Sequence, residues 1–306
     1  MGNKNKLLIL AGPTGVGKSD LSIKLAHKLN GEIISADSMQ VYKYMDIGSA
    51  KIKKEEMNGI KHHLIDVCNP DDVFNVAIYV ELAKQAINNI LLKGKLPIIV
   101  GGTGLYIRSV LYNQQHCESG EDTEYREYLY DLARANGNEY VHNLLKEIDE
   151  ESYNNIHYNN LKRVIRALEV FHLTKKPFSS FKQTLKSNYD FKYYILDKNR
   201  EQLYKDINKR VDNMINIGLI NEVKDLKSKG YTKELQSMQG IGYKEVFDYL
   251  DNIVSYNEMV DKIKQNSRNY AKRQLTWFKK EQGSKFINKD TMDELHIIEY
   301  IVNDFN

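Results

Sequence analysis

Residues 12–19 read Gly-Pro-Thr-Gly-Val-Gly-Lys-Ser and fit the spacing G-x-x-x-x-G-K-[ST]. An apolar run at 7–11 leads into them, and Leu21, Lys24, Leu25, Lys28 and Leu29 follow with a helical pattern. Strand, glycine loop and helix in that order form the setting in which such a loop grips a polyphosphate. Glycines carry no Cβ, so backbone N–H groups can turn inward on phosphate oxygens. The helix after Lys18 adds the positive end of its dipole. Lys18 supplies a point charge, and Ser19 offers a hydroxyl to Mg²⁺, which keeps waters and substrate oxygens as its other ligands. The expected grip comprises Gly12, Pro13, Thr14, Gly15, Val16, Gly17, Lys18 and Ser19. The alternative is a glycine-rich turn with a surface lysine.

The first hundred residues continue the alternation. Short strands are expected at 32–35, 63–67 and 97–100, with a helix at 75–92 ended by Gly94. This is an α/β pattern, a P-loop NTPase-like parallel-sheet core. Active residues of such sheets collect at the carboxyl ends of strands. Three segments fall there: the 12–19 loop, Asp37-Ser38, and the turn Gly101-Gly102-Thr103-Gly104. From about residue 113 the chain becomes polar, acidic and tyrosine-rich, until residues 191–196 read as a returning strand. The expected organisation is a catalytic core of 1–112 and 191–306 with a helical insertion, 113–190. The rest is expected to be helical: 200–217 closed by Gly218, 219–229 closed by Gly230, a glycine-broken turn at 239–243, and a long helix at 257–280.

Composition narrows the class. With 42% hydrophobic and 28% charged residues the chain is ordinary for a globular protein. Cys68 and Cys117 form no C-x-x-C pair, so a reducing cytoplasm is expected and a zinc site is not. His62, His63 and Cys68 are read as structural rather than ligating. The apolar run near the start is too short for a signal peptide, and no stretch reaches membrane-spanning length. Net charge is only +3, but its distribution is uneven. Residues 118–151 carry eleven acids against three bases; 161–190 carry seven bases against two acids, and 260–280 seven against one. Alternating basic and acidic segments suit a protein that holds a polyanion along a path, or are solvated helix faces.

A nucleotide or small-molecule kinase is the default reading of such a loop. Those enzymes carry an Asp at the end of an apolar strand to help hold Mg²⁺. Here the strand at 98–100 runs into Gly-Gly-Thr-Gly instead. Asp37 does end a strand, in a distinctive neighbourhood of Ser38-Met39-Gln40-Val41-Tyr42 and then Met45-Asp46-Ile47-Gly48. Further runs are His62-His63-Leu64-Ile65-Asp66, Gly101-Gly-Thr-Gly-Leu-Tyr106, Arg163-x-x-Arg166-Ala-Leu-Glu169, Arg210-Val-x-x-Met214 with Gly218-Leu-x-x-Glu-Val223, Gly240-Ile-Gly-Tyr-Lys244 and Lys272-Arg-Gln-Leu-Thr-Trp277. In this order, over nearly the whole length, the chain resembles the tRNA dimethylallyltransferases, the isopentenyltransferases (IPP transferase family) that act on tRNA.

The resemblance implies a P-loop-type core with a helical insertion. It also implies transfer of a dimethylallyl group from dimethylallyl diphosphate to N6 of adenine 37, beside the anticodon of tRNA, with release of pyrophosphate. The expected partners are the tRNA anticodon stem-loop and dimethylallyl diphosphate, with Mg²⁺ as cofactor and the protein a monomer. The loop then holds an isoprenoid diphosphate, and no phosphoryl group moves. The alternatives are a P-loop kinase and a noncatalytic RNA-binding module.

Chemistry assigns the roles. An adenine N6 amine is a weak nucleophile, and a base that takes its proton as the C–N bond forms would help. Asp37 is the expected base, as the resemblance supports; its alternatives are a helix cap near Ser38 or a Mg²⁺ ligand. Thr14, Lys18 and Arg210 are expected to stabilise the leaving diphosphate. Arg210 has the alternative of a surface ion pair with Asp206 or Asp212. Thr103 would orient the adenine or Asp37, or only satisfy its turn. An adenine must leave its stack before it is alkylated, which calls for phosphate clamps and groups that read the emptied position. Expected tRNA contacts are Asp37, Ser38, Met39, Gln40, Thr103, Lys162, Arg163, Arg166 and the turn Gln239, Gly240, Ile241, Gly242, Tyr243 and Lys244, whose Tyr243 could stack on a base. Arg126 matches a further family contact, with ion pairing among Glu124 and Glu127 as its alternative. Trp277 is expected to anchor the basic helix of Arg268, Lys272 and Arg273 in the core.

Overall fold

The computed structural model describes residues 4–112, 120–181 and 186–305. In chain order it forms β1 (Asn5–Ala11), α1 (Lys18–Lys28), β2 (Gly31–Ala36), β3 (His62–His63), α2 (Val76–Leu92), β4 (Leu96–Gly101) and α3 (Gly104–Leu111). Then come α4 (Thr123–Asn136), α5 (Asn138–Asn143), α6 (Leu145–Ile148), α7 (Glu150–Asn155) and α8 (Leu161–Thr174). The chain closes with β5 (Tyr189–Asp197), α9 (Arg200–Asn216), α10 (Leu219–Ser228), α11 (Tyr243–Leu250), α12 (Tyr256–Phe278), β6 (Ser284–Asn288) and α13 (Glu294–Phe305). Two compact units divide it, Met1–Leu111 with Ser187–Asn306 and, between them in the chain, Tyr112–Lys186. Among the described residues no helix is long and apolar enough to cross a membrane.

The first unit is an α/β layer built on one parallel sheet of order β3-β2-β4-β1-β5-β6. Its central strands β1 and β4 are largely continuous apolar runs because helices cover both faces. Leu7 to Ala11 and Ile98 to Ile99 are fully buried. One core cluster joins Leu8, Leu10, Ile98 and Leu196 of the sheet to Leu21 and Leu25 of α1, Leu203 and Ile207 of α9, and Ile297 and Ile301 of α13. Asn75 caps α2, its side-chain oxygen accepting from the N–H groups of Ala77 and Ile78 at 2.9 and 3.1 Å.

The second unit has its own core of Leu129, Val141, Leu145, Val164, Ile165 and Leu168. A fully buried carboxylate, Glu169, organises its polar side. It accepts from Arg126, Arg166 and the Asp122 backbone N–H. These bonds outweigh burial and hold its carboxyl below the usual range.

Two expectations fail locally. The strand read at 63–67 stops at His63, because Leu64 and Asp66 take left-handed backbone conformations (φ 61° and 56°) that a ladder cannot carry. The sixth strand, β6, lies where only helix was expected. Its sequence Ser-Lys-Phe-Ile-Asn buries one side chain, Ile287, so it shows no strand pattern of its own and forms by pairing with the edge of β5.

Candidate active site

Register places the site. Ala11 pairs with Gly101 and with Ile195, and Ala36 pairs with Gly101, so β1, β2, β4 and β5 end at one level. The loops after β1, β2 and β4 therefore emerge side by side. Gly101 permits this approach, since a Cβ there would run into the Ala36 carbonyl.

The glycine loop at 12–17 has the conformation its glycines allow. Gly15 and Gly17 are left-handed at φ 80° and 83°, and Gly17 caps α1 without any side-chain bond to the first N–H groups. Val16 points into the core, so only its backbone serves the loop. Gly12 and Pro13 are buried, and their carbonyls accept from Lys18 Nζ at 3.0 and 2.8 Å. Burial and the neighbouring Arg210 push the Lys18 ammonium down to about 7, against the opposing pull of Asp37.

A cavity of about 530 Å³ opens over the loop. It is lined by Thr14, Gly15, Gly17, Lys18 and Ser19, by Asp37, Ser38, Met39 and Gln40, by Gln239, Gly240, Ile241 and Gly242, and by Arg210. Asp37 Oδ1 accepts from the N–H groups of Met39 and Gln40 at 2.8 and 3.3 Å. No helix starts at Ser38; the carboxylate closes a turn with one oxygen. Thr103 donates its backbone N–H to the Ala36 carbonyl at 3.0 Å, and its Oγ1 accepts from Ser38 N–H at 3.2 Å. Thr103 thereby joins the β4 turn to the residue beside Asp37. The surface ion pair considered for Arg210 does not form, because Asp206 holds Lys198 and Asp212 holds Lys264. Arg210 faces inward, where burial lowers its proton affinity and Asp37 opposes the shift.

Several members of the expected set are occupied otherwise. The Gln40 side chain accepts from Ser35 Oγ at 3.1 Å and donates toward the Ser49 and Ala50 carbonyls. Tyr243 is corrected outright: its ring is fully buried against Gly48, and its hydroxyl donates to Glu222 Oε1 at 2.7 Å, so it offers no face to a base. Lys244 is exposed on α11. In the other unit Lys162 and Arg163 are exposed on α8. Arg126 is ion-paired, with Glu121 and Glu169 rather than Glu124 or Glu127, and Arg166 shares Glu169. Trp277 is 38% exposed, resting on the bare backbone of Gly104, and is no core anchor. His62 bonds the Ile60 carbonyl, His63 bonds Glu32, and Cys68 donates to the Val41 carbonyl. Cys117 lies outside the described residues.

Three contributors were given no role from the sequence, although Gln274 and Glu222 stand in the runs 272–277 and 218–223 quoted above. Tyr270 and Gln274 project from α12 into the cavity wall; burial and the nearby Asp37 push the Tyr270 hydroxyl up to about 12. Glu222 accepts from the backbone N–H groups of Asp46, Ile47 and Gly48 at 2.9, 2.7 and 3.1 Å. The available signal was the spacing of Ile263, Ser267, Tyr270 and Gln274 along one face of α12, masked by the basic residues interleaved with it.

Known proteins resemble this chain in sequence and fold. Residues 40–281 match the sequence profile of the IPP transferase family. The full-length tRNA isopentenylpyrophosphate transferase of Bacillus halodurans is 43% identical, with 99% of this chain and 97% of that one covered and a TM-score of 0.75. The tRNA delta(2)-isopentenylpyrophosphate transferase of Staphylococcus epidermidis is 44% identical over 99% of both chains, with a TM-score of 0.74. A eukaryotic dimethylallyltransferase described as acting on tRNA is 30% identical, covers 98% of this chain and 80% of its own, and has a TM-score of 0.82. Matched in sequence and fold over nearly its entire length, and carrying a phosphate loop that opens on a carboxylate-bearing cavity, the chain belongs to the IPP transferase family.

Proposed function

We propose that this protein transfers a dimethylallyl group from dimethylallyl diphosphate to N6 of adenine 37 in tRNA, releasing pyrophosphate. The observation that carries the reading is one cavity in which the phosphate loop, Lys18 and Arg210 face Asp37. The loop N–H groups, Lys18, Arg210 and Thr14 hold the diphosphate. As the C–O bond breaks, negative charge grows on the leaving group and these groups stabilise it; loss of one such donor costs about 10²–10³ in rate. Asp37 accepts the N6 proton while the C–N bond forms. Thr103 holds the turn that presents Asp37. The residues also fit a magnesium ion. Ser19 stands exposed at the head of α1, and Mg²⁺ takes few protein ligands beside waters and phosphate oxygens. Bound there, the ion would add charge neutralisation at the diphosphate.

The helical unit is read as a tRNA-contacting insertion, with the exposed Arg163 and Lys162 as its phosphate contacts. Segments 37–40 and 239–242, on the cavity rim, are read as contacts to the flipped nucleotide. The cavity is complete within one chain, which supports a monomer as the working form, and a tRNA substrate supports a cytoplasmic setting. No observation favours phosphoryl transfer. Incubation with unmodified tRNA and dimethylallyl diphosphate tests the reading by mass spectrometry of the nucleosides: a prenylated adenosine at position 37 supports it, and unmodified tRNA with intact diphosphate refutes it.

A further inference from the structure

Gln274 has no role in the reaction as drawn above, yet it is 6% exposed and its side chain bonds two loops as well as the Tyr270 hydroxyl on its own helix. Its Oε1 accepts from the Thr14 N–H at 2.8 Å, and its Nε2 donates to the Gly102 carbonyl at 2.9 Å. The two partners lie in different loops, one after β1 and the other after β4. A carboxamide offers a donor and an acceptor side by side without charge at any pH; an ionised carboxylate lacks the donor and a lysine lacks the acceptor. Gly102 is adapted to it, since a Cβ there would collide with Nε2.

We infer that Gln274 is a positioning residue for the transfer, a clasp that sets the distance between the diphosphate grip and the corner that presents the base. The inference rests on the prenyl-transfer reading. Thr14 stands in the phosphate loop at one end of the clasp. At the other end Gly102 precedes Thr103, which holds the N–H of Ser38, next to Asp37. Polar bonds and the peptide links between neighbouring residues thus run from the leaving-group site through Gln274 to Ser38, the residue next to the proton acceptor. The clasp also takes the Thr14 N–H out of the set free to meet phosphate, so the loop's remaining donors bind the diphosphate in one fixed place. Displacement of a reacting group by 1 Å costs about 10²-fold in rate, while a loosened loop can still bind.

Gln274→Met roughly keeps the volume and removes both loop bonds together with the bond to Tyr270; Gln274→Glu keeps the acceptor and lacks the donor until it is protonated. Charged or titratable groups around this position are Tyr270 and Arg273 on α12, Lys18 on α1, Asp37 after β2 and Arg210 on α9. A carboxylate at 274 would shift the titration of these neighbours, so the Gln274→Glu profile is read beside that of the uncharged Gln274→Met variant at each pH. Steady-state kinetics should show kcat of Gln274→Met reduced about 100-fold, with both KM values changed by less than about threefold. The ratio of Gln274→Glu to wild-type kcat should climb as pH falls from 8.5 to 6, because protonation restores the donor. A near-wild-type kcat for Gln274→Met, or a ratio flat with pH, overturns the inference. Amide exchange on the wild-type protein gives an answer that does not depend on the variants folding. The Thr14 N–H should be protected without ligand and unchanged by pyrophosphate; free exchange that pyrophosphate then slows overturns it. Absence of prenylated product from the wild type would instead refute the prenyl-transfer reading.

Discussion

Lys18 Nζ lies 2.8 Å from the Pro13 carbonyl and closes on its own loop. Burial and Arg210 bring its ammonium down from 10.5 to about 7, so the unfolded chain holds one more proton between those values. Ligand-free protein therefore gains stability from this group as pH rises through that window. Diphosphate binding has the opposite preference, since the anion favours the charged lysine. Affinity for pyrophosphate should fall about tenfold per pH unit above 7, with proton uptake on binding near pH 8. Calorimetry in buffers of different ionisation enthalpy reads this, with Lys18→Arg as the control for titration of the ligand. Equal proton uptake in both proteins would contradict the assignment.

Asp37 holds two backbone N–H groups with Oδ1. Asn can keep both bonds but cannot take a proton. Asp37→Asn should retain its melting temperature and tRNA affinity while kcat falls about 10²–10⁴-fold. Lost tRNA binding with single-turnover chemistry intact would assign Asp37 to recognition instead.

Glu222 is the hub of the segment at 46–48, accepting from three backbone N–H groups and from the buried hydroxyl of Tyr243. Burial and the Glu222 charge push that hydroxyl well above its ordinary value. Glu222→Ala should cost on the order of 3 kcal/mol in urea unfolding, and Tyr243→Phe about 1–2 kcal/mol, with the double variant less than additive. Additive losses would mean that the pair does not interact.

The basic residues of α8 should separate into two behaviours. Among the described residues Arg163 has no ion pair, whereas Arg166 is held by Glu169 together with Arg126. Arg163→Ala should weaken tRNA binding and reduce the slope of log K against log salt by about 1. Arg166→Ala should mainly destabilise the helical unit, by uncovering part of a buried carboxylate. Indistinguishable salt slopes for Arg163→Ala and the wild type would remove Arg163 from the interface.

The centre of the sheet was legible because buried parallel strands carry apolar runs: residues 7–11 of β1, Ile33-Ile34 of β2 and residues 98–100 of β4 mark it, and the glycine loop marks the end of β1. Helix starts were legible where a cap marks them, as at Asn75. What escaped was decided by tertiary pairing. β6 exists only against β5, and the stop after His63 depends on two left-handed residues with no glycine to announce them. In the site, charge and glycine pointed to Lys18, Asp37 and the β4 turn. Gln274, Tyr270 and Glu222 act through partners far away in the chain, and the local pattern around them reads as ordinary helix surface. Tyr243 misled for the converse reason: a tyrosine in a glycine turn looks exposed until Gly48 proves to be its packing surface.

The central claim is that carbon, not phosphorus, is transferred, and simultaneous labelling of both candidate donors measures it most directly. With tritiated dimethylallyl diphosphate, γ-³²P-ATP and unmodified tRNA in one reaction, tritium should enter adenosine 37 with one pyrophosphate released per label, and ³²P should stay on ATP. Tritium left on the diphosphate while ³²P reaches any acceptor would contradict the account.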